Sequence, residues 1–416
     1  MYACAAPFPT TAAMEETVLE SVSSGLAGAV LHVGDRDRAR DERAYGHQRR
    51  YDGMAVRAVP EPMRTDSMAD LASLTKVFAV LPLMHQLVDD RTLRIDDPVA
   101  RYLPALDVSD KRDIRLRDLM GHAAFPDGVA FHDPVRAGAL FSQDRETTVR
   151  MLGQVPMDAP PGTRITYSDL NFMALGAVIE AVTGQPLDRA ATAKIYAPMG
   201  LSRTGYRPLH NGFRASDCMA TERCGNTRDG HVWFPNIRNH TLQGEVHDEK
   251  AFHAMGEVSG HAGLFSTASE LGRLCRLMLN GGRHGDFKLC SPETVALFRE
   301  TFNPDRSFAL GWRLPTEATS HLFGKLLPQH RQPGEVVAHT GWTGQCAVLD
   351  FASGRYLLLL TNKKHGPADP AGHLNTFLGD KTPAGRYGPV VEQFVEGVLL
   401  ETGESSAPPP GARGER

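Results

Sequence analysis

The sequence predicts an α/β fold of the α+β type. We expect an antiparallel sheet of the five-stranded type, flanked by helices, and a mostly helical domain inserted into the sheet domain. Runs with strand character lie near both ends of the chain, at 28–33, 345–351 and 356–361. Between them, residues 116–195 contain short apolar repeats with the spacing of amphipathic helices. Because strands occur at both ends and helices between them, we expect the first and last thirds of the chain to share one sheet.

The expected domain boundaries follow from this order of elements. Residues 15–85 and 290–402 would form a discontinuous sheet domain, and residues 86–289 a mostly helical domain. The segments 1–14 and 403–416 are predicted to be flexible termini, and the second of them is rich in Ser, Pro and Gly.

Composition excludes several classes of protein. The chain has 416 residues with a net charge of −4 and no prominent run of like charge, so nucleic acid is not an expected partner. No apolar run approaches the length of a membrane helix, which needs about 20 residues, and the first residues do not match a signal peptide. Among the six cysteines only Cys218 and Cys224 are close, and their spacing favours two separate thiols over a disulfide.

The first candidate for chemistry is Ser73-Leu74-Thr75-Lys76, at the start of a predicted helix. Residues three apart share one face of a helix, so Lys76 would lie one turn from the Ser73 hydroxyl. A serine hydroxyl is a weak nucleophile, and a nearby lysine can act as its base or polarise it. Ser73 is the only serine with a lysine at this spacing. The alternative is a helix-capping serine beside a solvent-facing lysine.

The second candidate is Tyr167-Ser168-Asp169, which follows the Pro- and Gly-rich stretch 160–162 and leads into another predicted helix. A tyrosine close to cations can accept or relay a proton. The alternative for a single tyrosine is a half-buried position in the core.

The third candidate is His339-Thr340-Gly341, followed by Trp342 just before a predicted strand. A glycine here allows a ligand to approach the edge of the backbone closely. The backbone N–H groups of Trp342 and Ser73 could together bind the oxyanion of an acyl-transfer intermediate. The alternative is a tight turn before a strand.

The order of the three motifs, S-x-x-K, Y-x-[ND] and [KH]-T-G, resembles that of the serine penicillin-recognising enzymes, the penicillin-binding proteins and class C β-lactamases. That group includes D,D-carboxypeptidases and related esterases, and the resemblance implies the β-lactamase/transpeptidase-like fold. Similar segments extend over about residues 15–400 and include 95–104 and 161–184. The segments 244–249 and 260–263 resemble the penicillin-binding protein 4B-like subgroup, thought to be D,D-carboxypeptidases.

The resemblance implies a role for each matching residue. Ser73 would attack a carbonyl group and become acylated, while Lys76 and Tyr167 would share the proton transfers. His339, where many members have lysine, would assist Tyr167 or bind a substrate carboxylate. The expected oxyanion hole is the backbone of Ser73 and Trp342, and no metal or cofactor is required. Two further sets are predicted: substrate-binding Asp169, Asn171, Thr340 and Gly341, and a site wall of His247, Asp248 and His261.

Two departures from the family pattern bear on the substrate. The second motif usually ends in asparagine, whose amide donates to the substrate, whereas an ionised Asp169 cannot donate and could instead hold Lys76 charged. Asn171 is the candidate for the missing donor. His339 is expected to be largely neutral at pH 7, since an unperturbed histidine has a pKa of about 6.5, and would hold a carboxylate less firmly than lysine. These changes predict weak or no β-lactamase activity.

The sequence therefore predicts a serine hydrolase that acts through an acyl-Ser73 intermediate on an ester or amide, of the D,D-carboxypeptidase or esterase type. Two alternatives stay open: a penicillin-binding or sensor module without turnover, and an acyltransferase. The G-x-S-x-G elbow of α/β-hydrolases and the H-E-x-x-H motif of metalloproteases do not occur in the sequence. The expected partner is a small molecule or a peptidoglycan-derived peptide or ester, and a monomer is expected. The resemblance implies a periplasmic or extracellular location.

Overall fold

The fold is built around a six-stranded antiparallel sheet. The computed structural model describes residues 7–303 and 305–405. Within these ranges the strands are β1 (Gly28–Asp35), β2 (Ala39–Asp52), β3 (Ala55–Pro62), β4 (Val336–Gly341), β5 (Gln345–Asp350) and β6 (Arg355–Thr361). Their order is β4-β5-β6-β1-β2-β3, and each neighbouring pair is antiparallel. The predicted fold class is confirmed, since both ends of the chain contribute to one sheet.

The sheet has one strand more than the sequence predicts. β2 and β3 form a hairpin, and β3 is an edge strand whose residues are exposed or half-buried. An edge strand of this kind lacks the continuous apolar run that identifies a strand buried on both faces. The predicted five-stranded sheet is therefore corrected to six strands.

Helices cover both faces of the sheet. The long helices are α1 (Thr11–Ser23), α2 (Leu81–Asp89), α3 (Asp169–Thr183), α4 (Ala268–Leu279) and α5 (Gly388–Thr402). Successive leucines of β6 alternate between two apolar cores: Leu357 and Leu359 pack with α1 and α5, whereas Leu358 and Leu360 pack with α4. None of the helices in the described ranges is long and apolar enough to cross a membrane.

Shorter elements make up most of the chain between β3 and β4. The short helices are Leu116–Met120, Pro134–Ala137, Arg145–Met151, Leu187–Ala191, Pro292–Leu297, Ser320–Phe323 and Leu326–His330. The short strands are Ala69–Asp70, Gly205–Tyr206, Ala220–Glu222, Leu242–Gln243, Leu264–Ser266, Arg283–His284 and Phe287–Lys288. The division into two domains stays a prediction, but α4 packs against β1 and β6 although the sequence assigned it to the helical domain.

The start of the described chain is more ordered than the sequence predicts. α1 begins at Thr11, inside the segment 1–14 that was expected to be flexible. Phe8 is buried and its ring stacks on Phe394 of α5, with 5.7 Å between the ring centroids. Apolar contact with the last helix therefore orders this segment. Of the predicted flexible termini, residues 403–405 are also described, and Glu404 pairs with Arg331 at 2.8 Å, whereas 1–6 and 406–416 lie outside the described residues.

The helix after the first motif contains a proline, and a second segment of the chain compensates for it. Pro82 has no N–H, so the carbonyl of Phe78 lacks its usual helical donor. The hydroxyl of Tyr196 donates to that carbonyl at 3.1 Å. The same stretch forms a π-helical turn, Lys76–Val80, before α2. Pro82 is thus accommodated by a wider turn that begins at Lys76, one helical turn after the candidate nucleophile.

The cysteines of the described chain are free thiols. Cys218 is buried and Cys224 is half-buried, and neither forms a disulfide. Burial raises the pKa of both thiols, that of Cys218 to about 12 and that of Cys224 to about 11. Both side chains are therefore protonated at neutral pH, in agreement with the predicted preference for separate thiols.

Candidate active site

Ser73 lies in a tight turn between the strand Ala69–Asp70 and the helix. Ala72, the residue before it, has φ of +45°, a left-handed conformation that is costly for a residue with a side chain. Asp70 holds the turn, because its Oδ1 accepts the Ala72 N–H at 2.9 Å and its Oδ2 accepts the His247 N–H at 2.6 Å. Burial raises the pKa of Asp70. The position of Ser73 thus depends on a buried acidic side chain three residues earlier.

Lys76 lies one turn after Ser73, as the motif predicts, and is fully buried. Its ammonium donates to Ser73 Oγ at 3.0 Å, to Asp169 Oδ1 at 2.9 Å and to the carbonyl of His261 at 3.2 Å. Burial alone lowers the pKa of Lys76, but Asp169 and Tyr167 together outweigh burial and raise that pKa above its ordinary value. Because three N–H groups have acceptors, Lys76 is charged and polarises the Ser73 hydroxyl.

Asp169 lies between two lysines. It opens α3, directly after the helix-capping Ser168. Its Oδ1 accepts from Lys76, and its Oδ2 accepts from Lys250 at 2.8 Å. Burial raises the pKa of Asp169, but Lys250 and Lys76 together hold it well below its usual value. Asp169 therefore keeps Lys76 charged, and its oxygens are occupied by protein donors.

Two cations lie over the ring of Tyr167. Lys76 Nζ is 5.0 Å from the ring centroid, and Arg313 Cζ is 4.7 Å from it. Arg313 also lies over the ring of Phe308 at 4.7 Å, and its Nε is buried without a hydrogen-bond partner. Burial lowers the pKa of Arg313. Its guanidinium forms no ion pair with the residues that the structure describes, and it lies behind the Tyr167 ring, outside the set of residues that line the cavity.

The third motif ends β4 and brings Trp342 to the site. Gly341 is needed there, because a Cβ at this position would lie 2.5 Å from the carbonyl oxygen of Leu71. Thr343, the residue after Trp342, donates to the carbonyl of Asp70 at 2.8 Å. Asp70 therefore binds the nucleophile turn through its side chain and the third motif through its backbone.

The backbone N–H groups of Ser73 and Trp342 are the predicted oxyanion-hole donors. Neither N–H has an acceptor within the described part of the chain. Both residues line the same cavity. Two unbonded N–H groups at one cavity meet the requirement for binding the oxyanion of a tetrahedral intermediate, and they support the predicted assignment.

His339 is fully buried beside Tyr167, with 6.1 Å between the ring centroids. Its Nδ1 donates to the carbonyl of Thr340 at 2.9 Å, which leaves a lone pair on Nε2. Burial, with the charges of Arg313 and Lys76, lowers the pKa of His339 well below its ordinary value. His339 is therefore neutral at pH 7. Of its two predicted roles, assistance to Tyr167 fits this arrangement better than binding a carboxylate.

The motif residues meet at a cavity of about 360 Å³. Ser73, Tyr167, Asp169 and Trp342 all line it. The other lining residues are Ala72, Asp127, Gly128, Val129, Ala130, His132, Arg136, Arg228, His247, Asp248, Glu249, Lys250, Ala262 and Asn375. A cavity of about 470 Å³ between 188 and 213 contains none of the motif residues, so we place the site at the first cavity.

Buried ion pairs support the cavity wall. His247 lies in the wall, as predicted, and its Nε2 is 2.7 Å from Glu222 Oε2. Arg228 binds Glu222 at 3.0 Å and Glu249 at 2.8 Å. Burial raises the pKa of Glu249, but Arg228 and the neighbouring histidines together outweigh burial and lower the pKa to about 2. The wall is therefore fixed by charge pairs that no local spacing in the sequence reveals.

Three of the predicted substrate-binding residues do not line the cavity. Asn171 is fully buried, and its Oδ1 accepts the N–H of Phe125 at 3.1 Å, so it holds a loop and does not face the cavity. In the third motif, Thr340 and Gly341 are not among the residues that line the cavity. They act as the backbone connection that places Trp342.

One group of side chains has a donor set that a metal ion could use. Ligand atoms of Asp169, Asp248 and His261 lie within 4.8 Å of one another. However, both oxygens of Asp169 accept from lysines, and Asp248 Oδ1 is 2.9 Å from His261 Nε2. A cation would have to displace Lys250, so the donor set fits a charge-paired network better than a metal site.

Buried histidines predict a loss of stability in acid. Burial lowers the pKa of His85 to about 4 and that of His365 to about 3. The folded state therefore binds fewer protons than the unfolded state, in which a histidine has a pKa of about 6.5. Their contribution to stability is complete above pH 6.5 and is lost as the pH falls towards 4 and 3. The slope is at most about 1.4 kcal/mol per pH unit for each histidine.

The test is urea unfolding at pH 7.0, 5.5 and 4.5, for the wild type and His85→Gln. The variant should lose less stability than the wild type between pH 7.0 and 4.5. Equal losses would show that the pKa of His85 is the same in the folded and unfolded states, and would contradict the prediction.

The fold and the three motifs around one cavity define a serine hydrolase of the penicillin-recognising type. The chain belongs to the beta-lactamase family, whose model matches residues 11–379. It is 39% identical to "N-acetylmuramyl-L-alanine amidase" of Bacillus subtilis (strain 168) over 92% of this chain and 88% of that protein. It is 40% identical to an Escherichia coli O157:H7 protein named a D-alanyl-D-alanine carboxypeptidase, over 91% and 88% of the two chains. A penicillin-binding protein homologue from Caulobacter crescentus has a similar structure, with a TM-score of 0.66 at 19% identity over 94% and 99% of the two chains.

Proposed function

We propose that the chain hydrolyses an amide bond in peptidoglycan-derived substrates through an acyl intermediate on Ser73, and that the leaving group is an amino acid. The observation that supports this most directly is the placement of Ser73. Its Oγ accepts a hydrogen bond from the buried, charged Lys76 at 3.0 Å, and the same cavity is lined by Ser73 and Trp342, whose N–H groups have no acceptor in the described chain.

The proposed reaction has two stages. Ser73 Oγ attacks the carbonyl carbon and gives up its proton, and the carbonyl oxygen becomes an oxyanion bound by the two N–H groups. The C–N bond then breaks, the amine leaves with a proton, and an ester on Ser73 remains. In the second stage water attacks this ester, which releases a carboxylic acid and returns a proton to Ser73.

Tyr167 is the group we propose to carry the proton between Ser73 and the leaving amine. Lys76 donates three hydrogen bonds and is charged. In this state it stabilises negative charge on its neighbours, and it can act as a base only after it has lost a proton. Lys76 and Arg313 both lie over the Tyr167 ring and stabilise negative charge that develops on its oxygen. The neutral His339 lies beside the same ring and assists it.

Arg313 supports a substrate whose leaving group has a carboxylate. It is the cation next to Tyr167 without an acidic partner in the described chain, and its Nε is buried and unbonded. An amino acid released as the leaving amine has its carboxylate one carbon away from that amine. The names of the two relatives fit this chemistry, since one refers to an N-acetylmuramyl-L-alanine amide and the other to a D-alanyl-D-alanine peptide.

The relatives also support a location at the cell wall. Their names refer to peptidoglycan chemistry, so we propose that the protein acts in the periplasm or outside the cell.

The experiment offers the enzyme N-acetylmuramyl-L-alanine and a diacylated L-lysyl-D-alanyl-D-alanine peptide in separate reactions, and measures released alanine by chromatography. Release from one of them shows which acyl group the cavity accepts. Arg313→Gln should lower kcat/KM for that substrate by about tenfold or more, because an ion pair to the leaving group is lost. The same variant should have little effect on the substrate whose terminal carboxylate is converted to an amide.

Arg299→Gln is the matched control. Arg299 also lies over an aromatic ring, that of Phe351 at 4.3 Å, but it is remote from the motifs and donates to the carbonyl of Gly334. Alanine release from neither substrate would contradict the proposed function. An equal loss for the acid and the amide in Arg313→Gln would contradict the proposed role of Arg313.

A further inference from the structure

Lys250 belongs to none of the three motifs, yet its ammonium completes the charge arrangement next to Ser73. It begins a π-helical turn, Lys250–Ala254, and lines the same cavity as Ser73. Its Nζ lies 2.8 Å from Asp169 Oδ2, while Lys76 Nζ lies 2.9 Å from Asp169 Oδ1. One carboxylate therefore bridges two ammonium groups.

We propose that Lys250 is a positioning residue for the acyl transfer: by holding Oδ2 of Asp169, it limits how strongly that carboxylate binds the Lys76 ammonium. This inference rests on the proposed function of the site. A carboxylate shared by two cations stabilises each of them less than it would stabilise one alone, and the two like charges repel. Lys250 thus keeps Lys76 charged but able to release a proton during turnover.

The other ionisable groups around Lys76 do not have this effect. Those that face it from the surrounding elements are Tyr167, Asp169, His122, Asp248, Lys250, His261, Arg313 and His339. His122 and His339 are neutral, because burial lowers the pKa of each well below its ordinary value. Asp248 pairs with His261, and Arg313 lies over Tyr167. Within the described chain, Lys250 is the cation bound to the second oxygen of Asp169.

Lys250 also differs from an ordinary surface ion pair. Its side chain is 18% exposed and that of Asp169 is 17% exposed, so solvent screens their interaction weakly. Burial lowers the pKa of Lys250, but Asp169 and Asp248 outweigh burial and raise that pKa above its ordinary value. Lys250 therefore stays charged over the pH range in which such an enzyme would be assayed.

The test compares Lys250→Met, which removes the charge, with Lys250→Arg, which keeps it. The pH dependence of kcat/KM for alanine release is measured between pH 5 and 10. In Lys250→Met, Asp169 no longer binds a second lysine at Oδ2. Its carboxylate then stabilises the charged form of Lys76 more strongly, so the proton affinity of Lys76 rises. Because Lys76 is charged over this whole range, we expect the acidic limb of the profile to move up by about one pH unit, which is an approximately tenfold loss throughout the range. Lys250→Arg should restore the limb to within a few tenths of a pH unit.

Lys381→Met is the matched control, since Lys381 is half-exposed and pairs with Asp369 outside the cavity. An unchanged acidic limb in Lys250→Met, with or without a lower melting temperature, would overturn the proposal and leave Lys250 a structural residue. A rise in KM without a shift of the limb would also overturn it, because Lys250 would then bind substrate.

A separate measurement keeps this inference distinct from the proposed function. If the wild type shows no turnover that depends on Ser73, the proposed function fails. The proton affinity of Lys76 can still be followed by NMR titration of lysine side chains labelled with 13C at Cε, with the Lys76 signal assigned from Lys76→Arg. An upward shift in Lys250→Met supports the role of Lys250, and an unmoved Lys76 titration refutes it.

Discussion

Replacing Ser73 by alanine should abolish covalent acylation and reduce kcat/KM for alanine release by about 10³-fold or more. The substitution removes one oxygen atom, the acceptor of the Lys76 hydrogen bond at 3.0 Å. It leaves the turn intact, because Asp70 binds the backbone of Ala72 and not the Ser73 side chain. The unfolding midpoint should therefore stay close to that of the wild type while activity is lost.

The measurement is intact-protein mass during turnover, combined with the rate of alanine release. The wild type should show a transient mass increase equal to the acyl group, and Ser73→Ala should show none. Ser109→Ala is the control, because Ser109 is exposed on a loop outside the cavity. An adduct of equal mass in Ser73→Ala would place the nucleophile at another residue. An adduct in the wild type that persists without release would favour the alternative of a binding or sensor module.

Replacing Tyr167 by phenylalanine should reduce kcat by about 10²–10⁴-fold, the usual range for loss of a general acid–base group. The ring remains in place over Lys76 and Arg313, so packing is preserved and only the hydroxyl is lost. The effect should be larger on amides, whose leaving amine needs a proton, than on activated esters, whose leaving group does not.

Comparison of alanine release with hydrolysis of 4-nitrophenyl acetate provides the measurement. Tyr102→Phe is the control, since its hydroxyl donates to Asp97 at 2.7 Å outside the cavity. A loss of the same size on both substrates would indicate that Tyr167 acts on Ser73 and not on the leaving group. A loss below about threefold would contradict a role in proton transfer, since general acid–base groups contribute far more than this.

Local spacing explains which parts of the site could be predicted from the sequence. Ser73 and Lys76 are three residues apart, so the geometry of one helical turn brings them together. Tyr167 and Trp342 were found because they belong to motifs with a recognisable order. Lys250 was missed, since it meets Asp169 only through the folding of two distant segments.

The same reasoning accounts for the features of the site that the sequence did not reveal. Asn171 follows the cavity-lining Asp169 by two residues, about 200° around α3, and the sequence does not show which side of the helix faces the cavity. Asp70 carries no motif, and its importance appears only when its two carboxylate oxygens and its carbonyl are traced to Ala72, His247 and Thr343. The role of such buried polar side chains depends on contacts between distant segments of the chain. The periodicity of the sequence indicates only contacts between residues that are close in the sequence.

The strand order has a consequence for how the protein is made. β1 is synthesised early but lies between β2 and β6, and His32 of β1 meets Tyr356 of β6 across 324 positions of the sequence. The central pairing of the sheet therefore cannot form until the ribosome has passed residue 361. Contacts between residues so far apart in the sequence form slowly, and the apolar side chains of β1 stay exposed until β6 has been synthesised. Newly made chains should accordingly depend on chaperones until the last strands and α5 emerge.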